Sequence, residues 1–193
     1  QQDTFTFDAS AGQLVYFDSL DRDFDSIVAE LRDPNGVVSF SANASLDRGP
    51  FILQRSGTYS LTIRGSSSSS TGDYQFRMLA LPQEASPLAL NSDVAHTIGL
   101  DGQTDIYRFS GQVGQQIYLD RTDSGSLSMR LISPTGTTVI SSSTDGGPVT
   151  LIEAGEYYLL INPDGGTAGD YSFRLLDLAD QPLLEFDTIQ EGT

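Results

Sequence analysis

A repeat within the chain constrains its fold more than any other feature of the sequence. Six short blocks occur twice in the same order, and the offset between the copies drifts only from 102 to 97 residues. The clearest pairs are the blocks that begin at Gly57 and Gly155, and those that begin at Gly72 and Gly169. Six ordered matches are not expected by chance, so the sequence predicts two homologous modules.

The positions of the repeated blocks give the boundaries of these modules. We expect module one at 1–82, a connector at 83–100 and module two at 101–180. Prolines and small polar residues in the connector are typical of a semi-extended linker. Residues 181–193 begin with an echo of 86–92, so we expect the start of a further connector there, in a piece of a longer tandem array.

Each module has the pattern of an all-β fold. Runs such as residues 60–63 and 74–78 alternate between polar and apolar side chains, which indicates half-buried strands. Turn sequences such as Asp33-Pro34-Asn35-Gly36 separate the runs every 8–12 residues. About seven strands in 80 residues fit an antiparallel β-sandwich.

Each module resembles the bacterial pre-peptidase C-terminal (PPC) domain family. The resemblance is carried by the turn at residues 33–36, by Gly49-Pro50-Phe51, and by the Gly-x-Tyr and Gly-Asp-Tyr-x-Phe strands at 57–61 and 71–77, with their counterparts in module two. It implies two tandem jelly-roll-like β-sandwiches without catalytic activity. Such domains are similar to accessory modules of secreted proteases and to repeats of large bacterial surface proteins, and some relatives bind calcium, collagen or polysaccharide.

Composition excludes several classes of function. The formal net charge is −16 and all ten basic residues are arginine, so nucleic acid and anionic membranes are unsuitable partners. The chain has no cysteine and a single histidine, His96, which excludes thiolate chemistry and any multi-histidine metal site within it. No apolar run approaches the roughly 20 residues that span a bilayer. The serines have no neighbouring base, so we expect no enzymatic activity and no organic cofactor.

Acidic residues form the one candidate metal site. Carboxylates close to one another repel, and calcium, which takes six to eight oxygen ligands, would relieve that repulsion. The alternative is a solvated acidic loop, since the EF-hand pattern fails at Ser26 and Arg32. The candidate calcium ligands are Asp18, Asp21, Asp23 and Asp25 in module one, with Asp120 and Asp123 in module two.

Two functions remain open from the sequence. The first is a structural or adhesive role in a large secreted or cell-surface bacterial protein, with neighbouring modules of the same chain as partners. The second is a carbohydrate- or matrix-protein-binding accessory module of a secreted hydrolase, which needs exposed aromatic side chains. Seven of the eight tyrosines fit core positions, and Tyr158 is expected to face outward. We also expect a monomer without membrane insertion.

Overall fold

The chain was analysed as a computed structural model. The structure describes residues 2–20, 26–70, 72–99, 103–123, 125, 127–162 and 168–180. Asp21, Asp23 and Asp25, and the further connector predicted at 181–193, lie outside the described residues.

The described residues of module one include seven strands that form two sheets. One sheet has the order β1-β6-β3-β4 and the other has the order β5-β2-β7. Apolar side chains from both sheets meet in one buried cluster, which includes Phe17, Leu31 and Tyr59. The strands are β1 (Gln2–Ala9), β2 (Leu14–Ser19), β3 (Ile27–Arg32), β4 (Val38–Asn43), β5 (Arg48–Ile52), β6 (Gly57–Gly65) and β7 (Phe76–Ala80).

Module two repeats this arrangement. Its strands are β10 (Asp105–Gly111), β11 (Gln116–Arg121), β12 (Ser128–Ile132), β13 (Thr138–Ser142), β14 (Gly146–Thr150), β15 (Gly155–Asn162) and β16 (Gly169–Asp177), followed by the short 3-10 helix η1 (Leu178–Asp180). The order β13-β12-β15-β10 matches β4-β3-β6-β1, and β14-β11-β16 matches β5-β2-β7. The predicted class, an all-β fold of antiparallel sandwich layers, is confirmed.

The residue register repeats as well. Ser19 pairs with Phe76 at the end of β2, and Arg121 pairs with Phe173 at the end of β11. Tyr59 and Tyr157 are both buried, and each donates its hydroxyl proton to the carbonyl oxygen four residues earlier, at 3.0 and 2.9 Å. Positions can therefore be compared one by one between the modules.

The segment predicted as a connector contains regular structure. After the short helix α1 (Leu81–Glu84) come β8 (Ser86–Pro87), which pairs with β10, and β9 (Asp93–Ile98), which pairs with β16. Leu88 and Ile98 are buried in the core of module two. Most of 83–100 is thus an edge of that module rather than a free linker. None of the helices in the described ranges is long and apolar enough to cross a membrane.

Candidate functional site

The two modules meet in a buried apolar interface. A third hydrophobic cluster, separate from the two sandwich cores, draws residues from both modules. Module one contributes β2, the end of β7 and the start of α1, and module two contributes β10, β12 and β15, while Ala85 lies between α1 and β8. The buried members are Leu14, Tyr16, Leu79, Leu81, Ala85, Ile106, Ile132, Tyr158 and Leu160. This interface fixes the position of one sandwich against the other.

A buried carboxylate links the modules at one side of this cluster. Asp18 has no exposed surface, and its Oδ1 accepts a hydrogen bond from the Thr104 hydroxyl at 2.8 Å. Its Oδ2 accepts the Nε–H of Arg77 at 2.8 Å, and Arg77 also donates to the Thr104 carbonyl at 3.1 Å. Burial raises the pKa of Asp18 to about 6, although Arg77 and Thr104 oppose that rise.

Two further polar contacts cross the interface. Arg130 of module two donates to the hydroxyl of Tyr16 at 2.9 Å and places its guanidinium over the Tyr16 ring. Asn162 donates to a carboxylate oxygen of Asp47 at 3.0 Å. Burial raises the pKa of Tyr16, so the hydroxyl that accepts from Arg130 is uncharged at neutral pH.

The prediction that Tyr158 faces outward holds for module two alone but is wrong for the whole chain, in which the side chain is buried. Tyr158 does point away from the core of module two, but module one covers it and leaves it 4% exposed. A buried contact between modules requires apolar side chains, and the two repeats differ in this property at the equivalent face. The buried residues Ile106, Ile132, Tyr158 and Leu160 stand where module one has Thr4, Arg32, Ser60 and Thr62. This exchange of polar for apolar side chains is the sequence signal of the interface.

The described members of the predicted calcium set are occupied by other donors. Asp18 binds Arg77 and Thr104, as above, and Asp120 accepts the Nε–H of Arg174 at 2.9 Å. Asp123 accepts from Arg121 Nε and from the Gly125 amide, both at 2.8 Å, and from the Ser172 amide. Burial opposes ionisation of Asp123, but these hydrogen bonds together lower its pKa. Each of these three carboxylates is thus hydrogen-bonded to protein donors.

Within the described ranges, no group of three or more histidine, cysteine, aspartate or glutamate side chains is placed to hold a metal ion. The prediction for Asp21, Asp23 and Asp25 concerns residues outside those ranges, and it stays a prediction.

In module two, a buried arginine side chain lies beside the acidic turn at Asp123. The side chain of Arg121 is 3% exposed, and its Nη1 donates to the carbonyl oxygens of Leu127 and Ser143, each at 2.6 Å. Its Nε donates to Asp123, so the Nε and Nη1 atoms of the guanidinium both have oxygen acceptors. Module one has Ser19 at this position, next to the acidic run that begins at Asp21. The two modules thus differ at this position, with arginine in module two and serine in module one.

The single histidine of the chain lies at the surface. His96 lies on the exposed side of β9, with Nδ1 3.1 Å from a carboxylate oxygen of Asp105. Among the described residues, Phe5 is the one aromatic in the set of exposed large apolar side chains. The surface that these residues form therefore lacks the row of aromatic rings that a sugar-binding platform needs.

Comparisons with known proteins leave the family unassigned. No family model matches the chain, and no curated protein matches it. Among solved structures, the CUB1-EGF-CUB2 region of human MASP-1/3 is 8% identical with a TM-score of 0.27, over 91% of this chain and 93% of that one. A structure of infectious bursal disease virus, Gt strain, is 13% identical with a TM-score of 0.14, over 94% and 73% of the two chains. Similarity this low carries no argument about function, and the resemblance to PPC domains stays a prediction.

Proposed function

We propose that the chain is a non-catalytic structural unit of a secreted or cell-surface bacterial protein, in which two sandwich modules are held in one fixed orientation. The interface between the modules carries this proposal. Its nine buried apolar members and the Asp18–Thr104 hydrogen bond leave little freedom for one module to move against the other. A rigid pair of modules is suited to spacing or presenting other parts of a long extracellular chain.

The apolar residues that only module two has on this face support a specific contact between module two and module one. Apolar burial stabilises an interface by roughly 25 cal/mol for each Å² removed from water, but only where both surfaces are apolar. Module two presents Tyr158 and Leu160 to its neighbour, whereas module one presents Ser60 and Thr62 to solvent on the corresponding face. The face of module two therefore matches its contact with module one in this chain.

The alternative role, binding of carbohydrate or a matrix protein, has less support. Sugar-binding surfaces stack rings of the ligand on exposed aromatic side chains. Most of the aromatic side chains of this chain pack against one another in the sandwich cores, as Phe17 does with Phe76 and Phe109 with Tyr157. The extracellular setting and the absence of catalysis are inferred from the sequence resemblance and from the lack of nucleophilic machinery.

Distance measurements between the modules test the proposal. The chain has no native cysteine, so spin labels can be attached to cysteines introduced at Leu46 and Val113, which are 44% and 67% exposed. Double electron–electron resonance should give one narrow distance distribution. The double substitution Tyr158→Ser and Leu160→Thr, which copies the residues of module one, should broaden it. A broad distribution in the unmodified protein would refute the proposal.

A further inference from the structure

One asparagine of the chain precedes a glycine, and this pair lies in an exposed turn. The chain has four asparagines, and Asn35 is the one that glycine follows. Asn35 and Gly36 are both exposed, between the end of β3 and the start of β4, and Gly36 has a φ of 79°. Asparagine is a chemically labile residue. It reacts most readily ahead of glycine, because glycine has no side chain to hinder the attack of its backbone nitrogen.

The side chain of Asn35 is also less restrained than those of the other asparagines. In the described part of the chain, its side-chain amide has no hydrogen-bond partner. The Oδ1 of Asn43 accepts two hydrogen bonds, at 2.9 and 2.8 Å, and that of Asn91 accepts one at 2.8 Å. The side-chain nitrogen of Asn162 donates to a carboxylate at 3.0 Å. Asn35 can therefore turn its side chain towards the nitrogen of Gly36 without breaking a side-chain contact.

The surroundings of Gly36 leave room for this approach. A Cβ built at Gly36 would have no atom of another part of the chain within 4 Å. The Gly36 N–H donates to the carbonyl oxygen of Asp33 at 2.8 Å, and this bond must open before the nitrogen reacts. The turn leads into β4, which is an edge strand within the described sheets, and exposed turns of this kind open locally at low cost. The fold therefore slows the attack but does not block it.

We propose that Asn35 is a site of spontaneous deamidation in the folded chain. The backbone nitrogen of Gly36 bonds to Cγ of Asn35 while the Cγ–Nδ2 bond breaks, and the side-chain nitrogen leaves as ammonia with the proton of the Gly36 N–H. Water, the one other reactant, then opens the cyclic imide. Opening at Cγ gives aspartate, and opening at the backbone carbonyl carbon gives isoaspartate. The proposal does not depend on the rigid pairing of the modules.

The equivalent turn of module two carries a residue that cannot react in this way. Thr135 precedes Gly136 there, and a threonine side chain has no carbonyl carbon. This turn lies against module one, since a Cβ at Gly136 would be 3.3 Å from Leu14 and 3.4 Å from Ile52. Isoaspartate would lengthen the backbone by one carbon atom at that contact. Asparagine thus occurs in the turn that faces solvent and not in the turn that packs against the other module.

Deamidation changes the charge of the turn in module one. The Asp33 carboxylate accepts the backbone N–H groups of Asn35 and Val37 at 2.9 and 2.8 Å, and it pairs with Arg55 at 3.2 Å. The product adds a second carboxylate two residues from Asp33, and like charges so close repel each other. The reaction therefore alters module one with time, at a turn outside the buried interface between the modules.

Peptide mapping by mass spectrometry tests the site. The folded full chain is kept at 37 °C and pH 7.4 for several weeks and then digested with trypsin, which releases residues 33–48 with Asn35 and Asn43 in one peptide. We expect Asn35 to be converted at least tenfold faster than each of the other three asparagines, with more isoaspartate than aspartate. The rate should rise between pH 6 and pH 8, because the nitrogen of Gly36 must lose its proton.

Two comparisons make the test decisive. The variant Asn35→Thr, which copies module two, should remove the rapid conversion from this peptide. The chain unfolded in urea should react faster at Asn35 than the folded chain, because the hydrogen bond of Gly36 is then absent. Conversion of Asn35 no faster than that of Asn43 in the folded chain would overturn the proposal. Conversion only in urea, or conversion to aspartate without isoaspartate, would also overturn it.

Discussion

Asp18 of module one accepts a hydrogen bond from the hydroxyl of Thr104 in module two, 2.8 Å away, although Asp18 has no exposed surface. Arg77 completes the contact, since it donates both to the carboxylate and to the Thr104 carbonyl. Asp120, the counterpart of Asp18 in module two, pairs with Arg174 but lies at no module interface in the described chain. The equivalent Asp–Arg pairs therefore differ in function: the Asp18–Arg77 pair links the two modules, and the Asp120–Arg174 pair does not.

The ionisation of Asp18 gives the first prediction. Its pKa in the folded protein, about 6, lies above the ordinary value of 3.8. Its protonated form is therefore favoured by folding, and this stabilisation is full below about pH 4 and is lost as the pH rises through 6. The free energy of unfolding of the wild type, relative to Asp18→Asn, should fall by about 1–3 kcal/mol between pH 4 and pH 7.

NMR titration of the Asp18 carboxyl carbon measures this directly, with a midpoint expected near pH 6. The variant Asp18→Asn is the control, and its stability should lack the pH-dependent change that the wild type shows between pH 4 and pH 7. A midpoint below 3.8 would show that the charge of Arg77 outweighs burial.

The apolar face of module two gives the second prediction. The change Leu160→Thr, which introduces the residue of the corresponding position in module one, should lower the free energy of unfolding by about 2–4 kcal/mol, because it removes a fully buried side chain from the interface. The matched control is Thr62→Ala on the face of module one. It should change stability by no more than about 0.5 kcal/mol. Chemical denaturation measures both, and similar effects of the two changes would contradict the account.

Two equivalent glycines give the third prediction. Gly57 and Gly155 have φ of 135° and 142°, and a Cβ at either would lie 2.9 Å from the Cγ of Pro34 or Pro134. Alanine at either position should therefore cost about 1–3 kcal/mol. Gly169→Ala is the control, because a Cβ at that position would have no atom within 4 Å and its φ is not in the left-handed region. Thermal melting should show a clear loss for the first two changes only.

Calcium gives the fourth prediction. Module two neutralises its acidic turn with Arg121, whereas module one has Ser19 in its place, beside Asp21, Asp23 and Asp25. If calcium serves module one instead, millimolar calcium should raise the melting temperature by several degrees. Sodium chloride at equal ionic strength separates binding from screening of the net charge. An equal calcium response in the wild type and in the double variant Asp21→Asn, Asp23→Asn would remove the site from this turn.

The internal repeat made most of the fold predictable. The period-two alternation predicted the all-β class, and the matching blocks put Tyr59 and Tyr157 in equivalent core positions. Strand β9 was not predicted, because only Val94 and Ile98 are large apolar residues in it and prolines precede it. Its stability comes from pairing with β16, which is a tertiary contact that the local pattern does not record.

The sequence indicates the interface between the modules only through the positions at which one repeat has apolar residues and the other has polar residues. Residues 157–161 of β15 are a continuous apolar run because both of its faces are buried, one in module two and one against module one. Such a run does not show by itself what covers the second face. The contrast between Leu160 and Thr62 gives that information. Leu160 is covered by module one and is apolar, whereas the equivalent Thr62 has no such cover and is polar.

The orientation of the two modules is tested most directly by residual dipolar couplings of backbone amides in the full chain. If the interface around Tyr158 and Asp18 fixes the modules, couplings from both sandwiches should fit a single alignment tensor on the present structure. The variant with Tyr158→Ser and Leu160→Thr should need two tensors of different magnitude. Two independent tensors in the unmodified protein would contradict the rigid two-module unit on which the proposed function rests.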